Sequence, residues 1–87
     1  MEIDFTKEAT EHFNYFKKRN DQMILKKIRQ LLEAIIDSPY TGIGKPEALK
    51  YKYNGFWSRR INGEHRVVYR ILEEEKIIEV HCLKGHY

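Results

Sequence analysis

Residues that could cleave RNA without a metal ion are concentrated in the second half of the chain. Such cleavage needs a base to take the 2′-hydroxyl proton, cations around the phosphate and an acid for the departing 5′-oxygen. Glu47 is close in sequence to several lysines, and Arg60 and Arg66 flank a predicted hairpin turn. His86, next to last in the chain, can give up a proton near neutral pH because the ordinary pKa of histidine is about 6.5.

Each of these residues also has an ordinary structural explanation. Glu47 could be a solvated loop carboxylate, the arginines a solubilising surface, and His86 part of a frayed chain end. The chemical interpretation therefore depends on the fold bringing these residues together on one surface.

The single cysteine and the other histidines favour neither thiol nor metal chemistry. Cys82 alternates with Ile78 and Val80, which predicts a buried position in the core. His81 falls on the opposite face of the same predicted strand and His12 on a helix, without the paired spacing of a metal site. We therefore expect no metal and no cofactor.

Length and charge restrict the class of protein. Eighty-seven residues predict one domain, residues 1–87, with a modest core. The chain lacks a membrane-length apolar run and a signal peptide, and it has one cysteine, so we expect a cytoplasmic protein with no membrane partner. Seven basic and two acidic residues between positions 44 and 70 give this segment a charge of +5, which is typical of a surface for a phosphate-bearing or acidic partner.

Hydrophobic periodicity predicts two helices before the strands of a sheet. Ile3 and Phe5 indicate a short first strand, and Thr6 can cap a first helix. The apolar stripe of a second helix consists of Ile24, Ile28, Leu31, Leu32 and Ile35. This helix ends before Pro39, and a loop with two glycines and Pro46 follows it.

The strands after this loop predict an antiparallel sheet. They are LKYKY, then FWSRRI paired with HRVVYRIL, and finally KIIEVHCL. The helices can bury their apolar stripes only against one face of such a sheet. We therefore predict an α+β fold with two N-terminal helices packed on one face of a small antiparallel β-sheet, whose other face is open to a ligand.

The turn between the central strands allows two registers. If Asn62-Gly63 is a two-residue turn, Arg59 lies opposite Arg66. If the turn also includes Glu64, with a bulge, Arg60 lies opposite Arg66 instead. The register therefore decides which arginine joins the predicted open face.

Three segments together resemble the YoeB toxins of the RelE/ParE superfamily. They are GKPEALK, GFWSRRINGEHRVVY and the terminal HY, and the resemblance extends over nearly the whole chain. It implies the RelE-like microbial RNase fold and the toxin of a bacterial type II toxin–antitoxin system. The implied activity is a ribosome-dependent, metal-independent endoribonuclease that cuts messenger RNA in the A site and inhibits translation. Its products would carry a 2′,3′-cyclic or 3′-phosphate and a 5′-hydroxyl.

The resemblance also implies catalytic roles. Glu47 would be the general base, Arg66 would stabilise negative charge on the scissile phosphate, and His86 would be the general acid. Two departures accompany the resemblance: Ala48 stands where well-known members carry proline, and residues 71–85 differ from the family pattern in length and sequence.

Four further residues would bind or support the substrate on the same resemblance. Lys50 and Arg60 match positions expected to contact phosphate. Tyr87 would help to seat the substrate nucleotide, and Glu64 would support Arg66.

The implied partners are an antitoxin, the ribosome and its messenger RNA. The antitoxin would be YefM-like, with a partly disordered acidic segment that folds on binding, and the +5 charge of residues 44–70 gives a physical reason for that attraction. Operon DNA would be contacted only through the antitoxin complex. Family members can also be homodimers.

Two other functions stay open at the level of sequence. A basic sheet displaying Tyr51, Tyr53 and Trp57 could stack bases and bind RNA without cutting it. A ParE-like relative would instead poison a DNA topoisomerase, since one fold can host different functions.

Overall fold

The computed structural model describes residues 1–85 and folds them into two helices and a five-stranded sheet. In chain order the elements are β1 (Glu2–Phe5), α1 (Lys7–Lys18), α2 (Gln22–Asp37), β2 (Glu47–Ala48), β3 (Trp57–Arg60), β4 (Arg66–Leu72) and β5 (Ile77–Cys82). A short 3-10 helix, Tyr51–Tyr53, lies between β2 and β3. The predicted α+β fold is confirmed.

Both helices begin at side chains that accept hydrogen bonds from the first turn. Thr6 Oγ1 accepts from the Ala9 N–H at 3.1 Å, and Asp21 Oδ1 accepts from the Ile24 N–H at 3.3 Å. The Thr6 hydroxyl also donates to the carbonyl of His81 at 2.8 Å. The start of α1 is therefore attached to the last strand.

The strand order in the sheet is β1-β5-β4-β3-β2. The pairs β2/β3, β3/β4 and β4/β5 are antiparallel, as the tight turns predicted. β1 pairs with β5 in parallel, so the sheet is mixed rather than wholly antiparallel. The difference arises because two helices separate β1 from the other strands, which lets it lie beside the end of the chain instead of the next strand in sequence.

The predicted strand LKYKY is wrong in position and type. Tyr51 has a φ of +58°, and the Tyr53 N–H donates to the Lys50 carbonyl at 3.1 Å, as in a tight helical turn. The strand here is only the two-residue β2, which precedes the predicted segment. Alternating tyrosines imitate a strand pattern, but Tyr51 is 91% exposed and packs in no core.

The core lies between the helices and one face of the sheet. Its buried members include Phe16, Ile28, Leu31, Ile35, Val67, Tyr69, Ile78, Val80 and Leu83. Within residues 1–85, no helix has both the length and the apolar character needed to cross a membrane.

A bulge in β5 changes which residues face this core. Val68 pairs with Cys82 but the next residue of β4, Tyr69, pairs with Val80, which leaves His81 as an extra residue. Cys82 is fully buried, as predicted. Because of the bulge it shares a face with Val68, away from the helices, rather than with Val80.

Candidate nucleic-acid cleavage site

The turn after β3 contains three residues, 62 to 64, and places Arg60 opposite Arg66. Asn62 Oδ1 fixes the turn by accepting hydrogen bonds from the N–H groups of Glu64, at 2.9 Å, and His65, at 2.8 Å. Of the two registers that the sequence allowed, the three-residue turn is the one that occurs.

Arg60 and Arg66 are paired at the closest spacing that a sheet provides. The Arg60 N–H donates to the Gly44 carbonyl at 2.7 Å, on one side, and the Arg66 N–H donates to the Gly85 carbonyl at 3.0 Å, on the other. Neither N–H points between β3 and β4, so this is a non-hydrogen-bonded pair, whose Cα atoms are typically about 4.5 Å apart. Like charges directly opposite each other repel, so the pair lowers stability.

These two guanidinium groups have no anionic partner within the described part of the chain. The ion pairs among residues 1–85 involve other side chains, and neither guanidinium donates a hydrogen bond there. Arg60 is exposed and Arg66 is partly exposed. Two adjacent, uncompensated cations on an accessible surface form a site for an anion such as a phosphate.

Glu47 lies on the same face of the sheet as this arginine pair. It pairs with Ser58, which precedes Arg60 by two residues and therefore points to the same side. Two strand spacings and two residue steps separate Glu47 from Arg66, which corresponds to about 12 Å between Cα atoms in ordinary sheet geometry. Ser58 and Val68, which are their neighbours on this face, are buried. The face that was predicted to be open is therefore accessible at Glu47, Arg60 and Arg66 but not at its centre.

Arg59 holds the loop that leads to Glu47. Its side chain is fully buried, and its Nη2 donates to the carbonyls of Ser38 and, at 2.8 Å, Thr41. Its Nη1 donates to the carbonyl of Ile43 at 3.2 Å. One guanidinium thus satisfies three carbonyls of the loop between α2 and β2, which fixes the approach of that loop to the sheet.

Tyr69 extends this network by one hydrogen bond. Its hydroxyl accepts from Arg59 Nε at 3.1 Å and donates to the Pro39 carbonyl at 2.8 Å. Burial raises the pKa of Tyr69, and the Arg59 guanidinium opposes the rise.

Gly44 allows the loop to lie close to the sheet. Its φ is +85°, and a Cβ atom there would lie 2.7 Å from Leu31 Cδ2 and 3.1 Å from Arg59 Cβ. A larger residue there would require the buried Leu31 side chain or the loop that precedes Glu47 to shift.

Lys50 and Tyr51 lie in the same groove as Glu47. A shallow groove is lined by residues 47–53, among which Lys50 and Tyr51 are exposed. Trp57 instead contacts Tyr40, with ring centroids 5.0 Å apart, and alternation places it on the helix side of the sheet. A base-stacking surface that includes Trp57 therefore does not form.

Two histidines contact the end of the described chain. His65 is buried, and its Nδ1 accepts a hydrogen bond from the Gly85 N–H at 2.9 Å. His12 Nδ1 accepts from the Leu83 N–H at 3.0 Å. The carboxylate of Glu64 lies 3.5 Å from His65 Nε2.

Sequence reasoning assigned no role to Arg59 beyond its alternative register, and none to His65. The alternation of Arg59 with Trp57 and Ile61 was the available signal that it points into the protein.

His86 and Tyr87 lie outside the described residues. Across the part of the chain that is described, no group of three or more His, Cys, Asp or Glu side chains is arranged to hold a metal ion.

Comparison with known families gives a match over nearly the whole chain. Residues 5–87 match the family described as "YoeB-like toxin of bacterial type II toxin-antitoxin system". A toxin YoeB from Synechocystis is 45% identical over 87 residues, covering 100% of this chain and 98% of the relative. A toxin YoeB from Escherichia coli K12 is 38% identical and covers both chains fully.

Solved structures show the same similarity in three dimensions. A YoeB/ParE toxin from Agrobacterium tumefaciens superposes with a TM-score of 0.94 at 36% identity, over 100% of both chains. A chain of the heterotetrameric YoeB–YefM toxin–antitoxin complex from Staphylococcus aureus gives 0.87 at 42% identity, over 100% of this chain and 98% of that one. A YoeB dimer from the same organism gives 0.88 at 42% identity, with the same coverage.

Proposed function

The chain belongs to the YoeB-like toxins of bacterial type II toxin–antitoxin systems, and on this premise we propose that it is a ribosome-dependent endoribonuclease that cuts messenger RNA in the A site. The observation that carries the proposal is the Arg60–Arg66 pair. Two cations at the closest spacing of a sheet, without a carboxylate partner in residues 1–85, lower stability and are explained by an anionic ligand.

The proposed reaction uses the side chains on this face and no metal. The Glu47 carboxylate takes the proton of the 2′-hydroxyl, and the 2′-oxygen attacks the adjacent phosphorus. The bond from phosphorus to the 5′-oxygen breaks, and His86 donates a proton to that oxygen. The products are a 2′,3′-cyclic phosphate, which can open to a 3′-phosphate, and a 5′-hydroxyl.

The cations stabilise the charge that develops during this step. Arg66, with Arg60 beside it, donates to the phosphate oxygens, and Lys50 binds a neighbouring phosphate. Within residues 1–85, the Glu64 carboxylate lies 3.5 Å from His65 Nε2 and makes no ion pair with Arg66, so its proposed support of Arg66 would be indirect, through the turn that sets the register.

Gly85, the last described residue, is attached to the strand that carries Arg66. The hydrogen bond from the Arg66 N–H to the Gly85 carbonyl attaches the segment directly to β4. His86 follows Gly85 in the chain, which supports its role as the acid, and Tyr87 would help to seat the nucleotide.

The proposed partners follow from the relatives. The S. aureus YoeB of known structure is complexed with YefM, and we propose a YefM-like antitoxin for this chain, attracted by the basic segment 44–70. Operon DNA would be bound through that complex, and a homodimer like the S. aureus YoeB dimer is proposed as well. The site of action is the ribosome in the cytoplasm.

Primer extension on a defined messenger RNA in a reconstituted translation mixture tests the function. Wild type should cut within the A-site codon, and Arg66→Gln should reduce the rate by about 100-fold or more, as expected for loss of one charge-stabilising donor. Arg29→Gln, at an exposed arginine of α2, is the matched control and should keep the wild-type rate. Absence of cleavage by the wild type, or full activity of Arg66→Gln, would refute the proposal.

A further inference from the structure

The last described residues are held by two imidazole rings rather than by a regular strand. β5 ends at Cys82, and beyond it the N–H groups of Leu83 and Gly85 donate to His12 Nδ1 and His65 Nδ1. One ring comes from α1 and the other from the residue between the turn 62–64 and β4, far apart in sequence. Together with the hydrogen bond from the Arg66 N–H to the Gly85 carbonyl, they fix the segment that precedes His86.

An imidazole can serve here only while its Nδ1 carries no proton. A neutral ring has one N–H donor and one acceptor nitrogen, whereas the protonated ring has two donors and no acceptor. Protonation at Nδ1 would place an N–H against the backbone N–H that it now accepts from. Both hydrogen bonds therefore require the neutral ring with its hydrogen on Nε2.

The surroundings of both rings agree with this tautomer. Nε2 of His12 lies 3.8 Å from a Glu8 oxygen, and Nε2 of His65 lies 3.5 Å from a Glu64 oxygen. These carboxylates favour a hydrogen on the ring nitrogen that faces them. The other groups close to the rings are Glu11, Lys84 and the edge of the Phe16 ring, and each histidine is also close to the other.

Burial is the main influence on the protonation of His12. It lowers the pKa of His12, and Lys84 and His65 act in the same direction, while Glu8 and Glu11 oppose them. The neutral, accepting state is therefore favoured at neutral pH.

We propose that His12 and His65 are positioning residues which, in their neutral forms, hold the C-terminal segment beside Arg66, and that protonation of either ring releases it. The consequence for catalysis rests on the proposed function, because it requires His86 to act as the general acid. The histidine hold, by which we mean the two hydrogen bonds from the Leu83 and Gly85 N–H groups to His12 and His65, is a property of the folded chain and can be measured without RNA.

Amide hydrogen exchange followed by NMR on the full chain tests the hold. His65→Phe keeps a ring but removes the acceptor, and His65→Asn keeps an acceptor oxygen one bond from Cγ, as Nδ1 is. We expect exchange of the Gly85 amide to rise about fivefold in the Phe variant, as for loss of one net hydrogen bond of about 1 kcal/mol, and to stay near wild type in the Asn variant. The same pair at His12 should act on the Leu83 amide, with the capped Ala9 amide as reference.

Two wild-type measurements keep the test valid if a Phe variant fails to fold. Nitrogen-15 spectra of the imidazoles should show the Nε2–H tautomer for both rings at pH 7.5. Because burial lowers the pKa of His12 from its ordinary value of about 6.5, lowering the pH below that value should increase exchange at Leu83, after correction for intrinsic rates, more than at Ala9. Nδ1–H tautomers, unchanged protection in the Phe variants, or equal effects of Phe and Asn would overturn the proposal.

Cleavage assays separate this inference from the proposed function. If both hold, each Phe variant should lose kcat and the Asn variant at the same position should regain it. Loss of activity at acid pH through release of the segment should be smaller in an Asn variant than in the wild type, because one of the two rings has been replaced. If the wild type cuts RNA and the exchange pattern is absent, the histidine hold is refuted. If the exchange pattern is present and the wild type cuts nothing, the hold stands and the proposed function fails.

Discussion

The neighbouring arginines of β3 should respond to the same substitution in different ways. Arg59 is fully buried and donates to three loop carbonyls and to the Tyr69 hydroxyl. Arg60 is exposed and lies opposite Arg66. Arg59→Gln should therefore destabilise the fold, whereas Arg60→Gln should leave stability almost unchanged.

The size of the difference follows from the hydrogen bonds. Each bond to a charged donor contributes about 1.5–3 kcal/mol, and glutamine can replace at most two of the four that Arg59 makes. We expect Arg59→Gln to lower the free energy of unfolding by about 4 kcal/mol. Arg60→Gln should change it by less than about 0.5 kcal/mol, with a tendency to stabilise because a like-charge contact is removed.

Urea unfolding followed by the fluorescence of Trp57, the single tryptophan, measures both effects. With a slope of about 1–3 kcal/mol per molar urea, the Arg59→Gln midpoint should fall by about 2 M or the variant should be unfolded in water. The Arg60→Gln midpoint should match the wild type while its RNA cleavage falls. Equal midpoints for the two variants would refute the assignment of Arg59 to the loop and Arg60 to the ligand.

Three further substitutions test other parts of the structure. Gly44→Ala should lower the free energy of unfolding by about 2 kcal/mol or more, through overpacking and its positive φ, and slow RNA cleavage; an unchanged melting temperature would contradict the close loop contact. Tyr69→Phe should cost about 1–2 kcal/mol. In the wild type, the raised pKa of Tyr69 contributes stability below about pH 10, and this contribution is lost as the pH rises through the pKa of the folded state. The Tyr69→Phe variant should lack this alkaline loss of stability. Because the pKa of His12 is lowered, the stability of the wild type should fall as the pH drops below about 6.5 and through the pKa of the folded state. Acid denaturation curves of His12→Asn should show a smaller fall. An identical fall in the two proteins would exclude His12 as the cause.

Local signals in the sequence predicted the elements that depend on local interactions. The cap at Thr6 and the apolar stripe of α2 are properties of residues close together in sequence, and both occur. The register at Arg60 was one of two alternatives, because the choice between turn lengths depends on hydrogen bonds to Asn62 that periodicity does not show. The prediction of a strand at LKYKY was wrong because the alternating residues of this segment are not buried on one side.

Contacts between distant segments could not be predicted in this way. The role of Arg59 depends on carbonyls of residues 38–43, and the role of His65 depends on the end of the chain. The bulge at His81 likewise changes the face of Cys82 without any signal in the alternation. The catalytic roles of Glu47, Arg66 and His86 rest on resemblance and remain predictions.

The position of β5 inside the sheet has a consequence for synthesis of the protein. Among residues 1–85, β5 is the last of the five strands in chain order, yet it lies between β1 and β4, and β1 pairs with no other strand. A nascent chain whose C-terminal residues are still in the ribosomal exit tunnel therefore lacks the strand that joins the two ends of the fold, and non-local pairing of this kind comes late. We expect stalled chains that end before Ile77 to be readily digested by protease; resistant ones would contradict this order. If the proposed function holds, a nascent chain that lacks β5 should also lack RNA-cleaving activity.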